Sequence, residues 1–298
     1  MNTHPVTSDL VSKAQTLIEA LPWFKSAWGS VVVVKYGGAA MTDPKLCAQV
    51  ASDIVLMKLA GVHPVVVHGG GPEITSFQER LGYPAHFIDG YRVTPPEVMD
   101  IVKMVLVGKV NKDIVNAINE HGTYAVGISG EDGGLVKGRP ISDELGRAGE
   151  VVSIDTTVVQ QLIDDDFIPV IATSGRGIDG QSLNINADLV AGKLAEALCA
   201  DKCIYLTDVN GIYADFGDPS TLIPVMTPEA AEDFACYDDA AAGGMLPKIR
   251  ACVEAVKGGV RRAFILNGTI AHSVILEMYT TAGIGTMISY ESDEGEVD

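Results

Sequence analysis

The sequence predicts an α/β fold: an open, mostly parallel sheet with helices on both faces, a three-layer αβα sandwich in two lobes. Three observations predict it. Short runs rich in Val and Ile alternate with longer runs of helical period. The short runs Val31–Lys35 and Pro64–His68 are apolar at consecutive positions, the pattern of strands buried on both faces. Strand, helix and strand follow one another at the spacing of parallel βαβ units.

Taken in order, residues 8–21 come first. Leu10, Val11, Ala14, Leu17, Ile18 and Leu21 form one helical stripe. Ser8 or Asp9 is placed to cap this helix and Pro22 to end it. It precedes the first strand, so its apolar face needs a partner, either its own domain or another subunit. Strand Val31–Lys35 runs into Gly37-Gly38, a helix follows over 44–60, and strand Pro64–His68 runs into Gly69-Gly70-Gly71. Another helix starts from Glu73. Thr94-Pro95-Pro96-Glu97 reads as a capping box with prolines in the first turn. It opens a helical stretch to about 120, broken near Gly108. Tyr124–Ile128, Gly134–Lys137 and Glu150–Ile154 read as strands. Asp155 caps a helix to about Ile163, and Ile168–Thr173 is a further strand. The second half has helix 187–199, strand Cys203–Thr207 and a polar excursion over 209–223. Helix 245–257, strand Arg262–Leu266, helix 271–279 and strand Thr286–Ile288 complete it. The domain reading is 1–29 as an N-terminal oligomerisation or regulatory helix, 30–180 as an N-lobe and 181–298 as a C-lobe.

Composition narrows the function. The 298 residues carry 21 Lys+Arg and 39 Asp+Glu, a formal charge of −18. That excess disfavours nucleic acid, whose binders need a basic face, and anionic membrane surfaces. No apolar run reaches the roughly 18 residues of a membrane span, and the first residues lack the order of a signal peptide. Five scattered cysteines suit reduced thiols in a cytoplasm. The acids Asp164, Asp165 and Asp166, and the five among residues 291–298, are expected on solvated surface.

The candidate site comes from positions. In open α/β sheets ligands sit at the carboxyl ends of the strands. Gly37-Gly38 and Gly69-Gly70-Gly71 both fall there, where glycine lets backbone N–H groups approach an anion. Lys35 ends a strand otherwise made of valines, and Lys248 lies near a helix start. Asp188, opening a helix, could hold both ammonium groups over the cleft between the halves. Gly175-Arg176-Gly177-Ile178-Asp179-Gly180 matches a dinucleotide fingerprint but leads into polar Gln181-Ser182, so it is set aside.

Six motifs in order carry a resemblance. They are Lys35-Tyr36-Gly37-Gly38, His68-Gly69-Gly70-Gly71-Pro72, Tyr91-Arg92-Val93-Thr94, Asn184-Ile185-Asn186-Ala187-Asp188, Leu206 to Tyr213, and Gly243 to Lys248. They resemble the amino-acid kinase family from about residue 30 to 290, and within it the branch that phosphorylates N-acetyl-L-glutamate. The resemblance implies phosphoryl transfer from ATP to a side-chain carboxylate in arginine biosynthesis. It makes Lys35, Lys248 and Asp188 catalytic. Gly69, Gly70, Arg92 and Asn184 bind the amino acid. Gly37, Gly38, Asp208, Gly211 and Tyr213 serve phosphate and nucleotide. Mg²⁺ is held mainly by the nucleotide, with no protein metal site. A sibling carboxylate kinase and a catalytically silent amino-acid-sensing scaffold are the alternatives.

Family members with an added N-terminal helix resemble arginine-inhibited hexamers, in which these helices interlace dimers. This chain has such a helix, and His272-Ser273-Val274-Ile275-Leu276-Glu277 with Gly283-Ile284-Gly285-Thr286 is similar to their arginine-site signature. The resemblance therefore implies an allosteric L-arginine site at Trp23, His272, Glu277 and Gly283. It departs at Trp23, where many sensitive members carry Tyr, because the indole N–H is a donor only.

Overall fold

The computed structural model describes residues 8–41, 43–215, 218–237, 245–281 and 283–290. Its helices are α1 (Ser8–Glu19), α2 (Leu21–Ala27), α3 (Pro44–Leu59), α4 (Gly71–Arg80), α5 (Pro96–Lys103), α6 (Asn111–Asn119), α7 (Thr157–Asp164), α8 (Ala187–Ala197), α9 (Pro228–Tyr237), α10 (Met245–Lys257) and α11 (Ser273–Tyr279). Its strands are β1 (Val31–Tyr36), β2 (His63–His68), β3 (Phe87–Ile88), β4 (Tyr91–Arg92), β5 (Ala125–Ser129), β6 (Val136–Pro140), β7 (Ala148–Ile154), β8 (Ile168–Ala172), β9 (Ser174–Gly177), β10 (Ser182–Ile185), β11 (Lys202–Thr207), β12 (Val225–Met226), β13 (Arg262–Asn267) and β14 (Thr286–Ile288).

Eight strands form the main sheet in the order β12-β14-β13-β11-β1-β2-β8-β5. All neighbours are parallel except β13 and β14. The seam between the halves is β1 on β11, with Lys35 opposite Tyr205. Side-chain alternation along β1 makes the three layers. Val32, Val34 and Tyr36 enter one core with α3, α5, α6 and α11, and Val33 enters another with α7, α8 and α10. Because successive side chains take opposite faces, Lys35 emerges on the α8 face with Val33.

Several sequence expectations are revised. Pro22 does not end a helix but stands in the first turn of α2, where its missing N–H costs nothing. The stripe of α1 does not pack on its own domain: Val11, Leu17 and Ile18 are 57%, 67% and 58% exposed. The expected caps fall on the side chains of Ser8 and Asp9, which lie outside those described. The stretch from Pro96 to Asn119 is not broken at Gly108, since a π-helical segment, Met104–Val110, carries the chain through. The capping box does not form. Pro95 takes the N-cap position, and the Thr94 hydroxyl donates instead to the Arg92 carbonyl at 2.8 Å. The strands expected near 136 and 151 leave the main sheet and close with β9 and β10 into a small four-stranded barrel. The rejected fingerprint, residues 175–180, spans β9 and the turn into β10. Asp164, Asp165 and Asp166 are exposed as expected, yet Asp166 is not idle, because it pairs with the buried ammonium of Lys58. The acids of 291–298 lie outside the described residues, and no helix among those described is long and apolar enough to cross a membrane.

Candidate active site

At the carboxyl ends of β1 and β2 lies a cleft of about 230 Å³ lined by Lys35, Gly69–Gly71, Arg92, Asn184 and Asp188, among others. Its charged centre is built from three elements. Asn186 caps α8, its side-chain oxygen accepting from the backbone N–H of Asp188 at 2.7 Å and of Leu189 at 3.4 Å. The cap fixes the first turn of α8 and so aims Asp188 at β1. Lys35 Nζ stands 2.9 Å from Asp188 Oδ1, and Lys248 Nζ, from the first turns of α10, stands 3.6 Å from Oδ2. The Asp188 side chain is only 8% exposed. Burial pushes its carboxyl up, but the two ammonium groups outweigh burial and hold it below the usual carboxylate range. A Cβ on Gly37 would sit 2.7 Å from Lys35 Nζ, so a side chain there would displace the ammonium group from its place.

A second group surrounds Arg92. Its Nη2 donates to the Gly71 carbonyl at 2.9 Å and to Thr75 Oγ1 at 2.8 Å, Nη1 donates to Gln78 Oε1, and Phe87 lies under the guanidinium at 4.7 Å. Three of five guanidinium donors are thus spent on α4. Arg92 is therefore a braced cation whose remaining donors can meet a carboxylate. Asn184 Nδ2 donates to Thr94 Oγ1 at 3.2 Å, tying β10 to the residue that follows β4 and Val93.

The glycine turn is braced from below by His68. Asn111 Nδ2 approaches His68 Nε2 at 3.1 Å, and His68 Nδ1 approaches the Gly69 carbonyl at 2.9 Å. An amide donor on Nε2 leaves the proton on Nδ1 for that carbonyl. Burial drops the His68 pKa to about 4, keeping the ring neutral. Gly70 admits no side chain, since a Cβ would meet Leu106 Cδ2 at 2.8 Å.

Of the site residues expected from the sequence, the fold brings Lys35, Gly69, Gly70, Arg92, Asn184, Asp188 and Lys248 to this cleft or its charged centre. Asp208, Gly211 and Tyr213 do not line it. They follow the carboxyl end of β11, where Gly211 packs so tightly that a Cβ would meet Thr286 Oγ1 at 2.5 Å. Gly38 has φ +69°, with open space at its Cβ position. Gly243 and Gly244, quoted with Lys248, lie outside the described residues. Asn186, Thr94, Gln78 and Phe87 are not among the site residues expected from the sequence. Only Asn186 left a readable signal, an Asn two residues ahead of an acid at a helix start. The other three act through partners 14, 90 and 5 residues away, in Gln78–Arg92, Thr94–Asn184 and Phe87–Arg92 respectively.

The residues of the expected arginine site lie on the α11 side of the molecule. Phe24 of α2 meets Tyr279 of α11 edge-on at 4.8 Å, which puts the helix carrying Trp23 against α11. Glu277 Oε2 accepts from the Ile284 N–H at 3.1 Å, beside Gly283. His272, in a left-handed backbone conformation, pairs through Nδ1 with Asp53 Oδ1 of α3 at 2.6 Å.

As a donor set, the cleft offers two ammonium groups around one carboxylate, glycine N–H groups and a braced guanidinium. That set fits phosphate and carboxylate oxygens. Among the described residues no three His, Cys, Asp or Glu side chains gather to hold a metal ion.

Comparisons with known proteins give the family. The family model of the amino acid kinase family matches residues 30–267. The acetylglutamate kinase of Thermoanaerobacter sp. (strain X514) is 48% identical over 285 residues, 95% of each chain. That of Syntrophomonas wolfei is 49% identical over 283 residues, 94% of this chain and 98% of its own. Among solved structures, N-acetylglutamate synthase from Neisseria gonorrhoeae, complexed with coenzyme A and N-acetyl-glutamate, superposes with TM-score 0.81 at 26% identity over 94% of this chain. This chain spans 64% of that synthase's length. Carbamate kinase from Giardia lamblia bound to AMP-PNP shares the fold, with TM-score 0.66 at 20% identity over 89% of this chain and all of its own. With a family match over most of its length and relatives near half identical over nearly all of it, the chain belongs to the amino acid kinase family, in its acetylglutamate kinase branch.

Proposed function

We propose that the chain transfers the γ-phosphoryl group of ATP to the side-chain carboxylate of N-acetyl-L-glutamate, giving N-acetylglutamyl phosphate and ADP for arginine biosynthesis. The observation that carries this is the Lys35–Asp188–Lys248 triad beside the Gly69–Gly71 turn. A carboxylate is already ionised at neutral pH, so its oxygen attacks the γ-phosphorus without a general base, and the bond to the ADP oxygen breaks as the new one forms. The obstacle is the approach of two anions, and catalysis is then positioning plus charge neutralisation. Asp188 holds the two lysine side chains in place over the cleft. Lys35 and Lys248 stabilise the transferring group, and Gly69 and Gly70 offer N–H groups to the acceptor. Arg92 takes the α-carboxylate with Asn184 beside it. Gly37, Gly38, Asp208, Gly211 and Tyr213 serve the nucleotide, whose own phosphates hold Mg²⁺. That ion, when bound, supplies further neutralisation of phosphate charge. In this reading residues 30–180 bind the amino acid and 181–298 the nucleotide, in a cytoplasmic enzyme.

We also infer feedback inhibition by L-arginine in a hexamer joined through residues 1–29. The exposed stripe of α1 supports the assembly. The packing of α2 on α11 beside Glu277 supports a site for a guanidinium near Trp23, His272, Glu277 and Gly283. ADP release measured with N-acetylglutamate, glutamate and aspartate as acceptors tests the activity. Turnover with N-acetylglutamate alone is expected. Preference for another acceptor would indicate a sibling carboxylate kinase, and no turnover with any would indicate a silent sensing scaffold. Arginine titration with and without residues 1–28 tests the regulation, and full activity of the intact chain at saturating arginine would remove it.

A further inference from the structure

A second cavity, of about 370 Å³, lies on the opposite face of β1 from Lys35. Its walls are apolar, formed by Val34, Val66, Val50, Ile54, Ile114 and Ile118 between the sheet, α3 and α6. Its lining also includes the polar side chains of Tyr36, Cys47, Glu73, Lys109 and Asp113. An apolar chamber with a few polar groups, in this size range, is the usual form of a small-molecule site. The polar groups indicate its ligand. Lys109 Nζ is engaged by Asp113 at 2.7 Å. Glu73 Oε2 is buried and accepts no hydrogen bond. A buried carboxylate oxygen without a donor is costly, and a cationic donor is the partner that relieves it most.

We propose that this cavity binds a small apolar primary amine, its ammonium group on Glu73 and its apolar body between α3 and α6. The site is separate from the catalytic cleft but adjoins it. Val110 lines the cavity, and its Cγ2 would lie 3.2 Å from a Cβ on Gly70. An occupant therefore presses on the same side chain that packs against the glycine turn.

The test compares 2-phenylethylamine with 2-phenylethanol, which has the same aromatic body without the charge. Both are titrated calorimetrically into the full chain, and Cys47, on the cavity wall and half-exposed, is followed by iodoacetamide labelling and peptide mapping. The amine is expected to bind at least about tenfold more tightly than the alcohol, as a charge-assisted hydrogen bond requires, and to slow Cys47 alkylation. Glu73→Gln should erase the preference while leaving alcohol binding unchanged. Ala51→Leu, which fills the chamber, should abolish both. If that variant fails to fold, the Glu73→Gln comparison and Cys47 protection still decide. Equal affinities, a preference that survives Glu73→Gln, or Cys47 labelling unaffected by saturating amine would each overturn the proposal. No readout depends on phosphoryl transfer.

Discussion

Two buried aspartates sit at opposite ends of the same chemistry. Asp188 at the cleft and Asp53 under α11 each lie out of solvent and each meet basic side chains, two lysines at Asp188 and His272 at Asp53, yet their carboxyls shift in opposite directions. Burial raises both. At Asp188 two ammonium groups overcome it, and the carboxyl falls below its ordinary range. At Asp53 a single imidazole does not, and the pKa rises to about 6. Two close ammonium groups outweigh desolvation here, whereas a single imidazole does not. The first arrangement locks a charge in place. The second leaves a charge that changes with pH at the junction of α3 and α11.

The largest effect expected from this contrast is at Asp188. Asp188→Asn leaves two ammonium groups, 10% and 18% exposed, facing each other without a counter-charge. Removing one partner of a buried ion pair costs about 3–5 kcal/mol, and urea unfolding at neutral pH should show a loss of that order. An unchanged midpoint would mean that the lysines find other partners. The Asp188 contribution is full above its unfolded pKa near 3.8 and is lost only as pH falls through the still lower folded value.

Asp53 should behave oppositely. Its folded pKa of about 6 lies above the unfolded 3.8, so the native state binds the extra proton between those values. Stability from this group is therefore greatest below about pH 4 and declines as pH rises to about 6, by about 2–3 kcal/mol in all. His68 works against it in nearly the same window. Its pKa of about 4 lies below the ordinary 6.5, so its contribution grows as pH rises from 4 to 6.5. Asp53→Asn should thus gain on the native protein in unfolding free energy between pH 4 and 6, as the His68 term is left unopposed. A constant difference between the two across that range would refute the assignment of the shift to Asp53.

The smallest effect concerns the acceptor. Arg92→Lys keeps a charge but loses the planar fork and the bracing by Gly71, Thr75 and Gln78. The KM for N-acetylglutamate should rise about tenfold, with a smaller change in kcat. Equal losses in kcat and kcat/KM would place Arg92 at the transition state instead.

Much of this was legible in the linear sequence, for definite reasons. Val31–Lys35 and Pro64–His68 read as doubly buried strands because parallel sheets demand continuous apolar runs. Lys35 and Asp188 stood out because each puts a charge at the end of a buried element. The small barrel was not legible as such. Two of its strands, β9 and β10, have only four residues each, and Gly138, Gly149 and Gly175 sit where a Cβ would come within 2.9 Å of neighbouring atoms. Low β propensity there reflects tight packing, not a loop. The π-helical passage at Gly108 read as a break because glycine usually signals one. Asp53–His272 and Lys58–Asp166 join residues 219 and 108 apart, and no local pattern announces such pairs. The charge of −18 disfavours polyanions but conceals the local cation cluster, since only placement decides what a cleft attracts.

In the proposed reaction Lys35 and Lys248, meeting over Asp188, carry phosphoryl transfer. The most direct test is kcat for N-acetylglutamate-dependent ADP release in Lys248→Ala, with folding verified by its urea midpoint. Loss of one such donor should lower kcat by at least about 10²-fold. A folded Lys248→Ala enzyme with near-normal kcat would contradict the central claim.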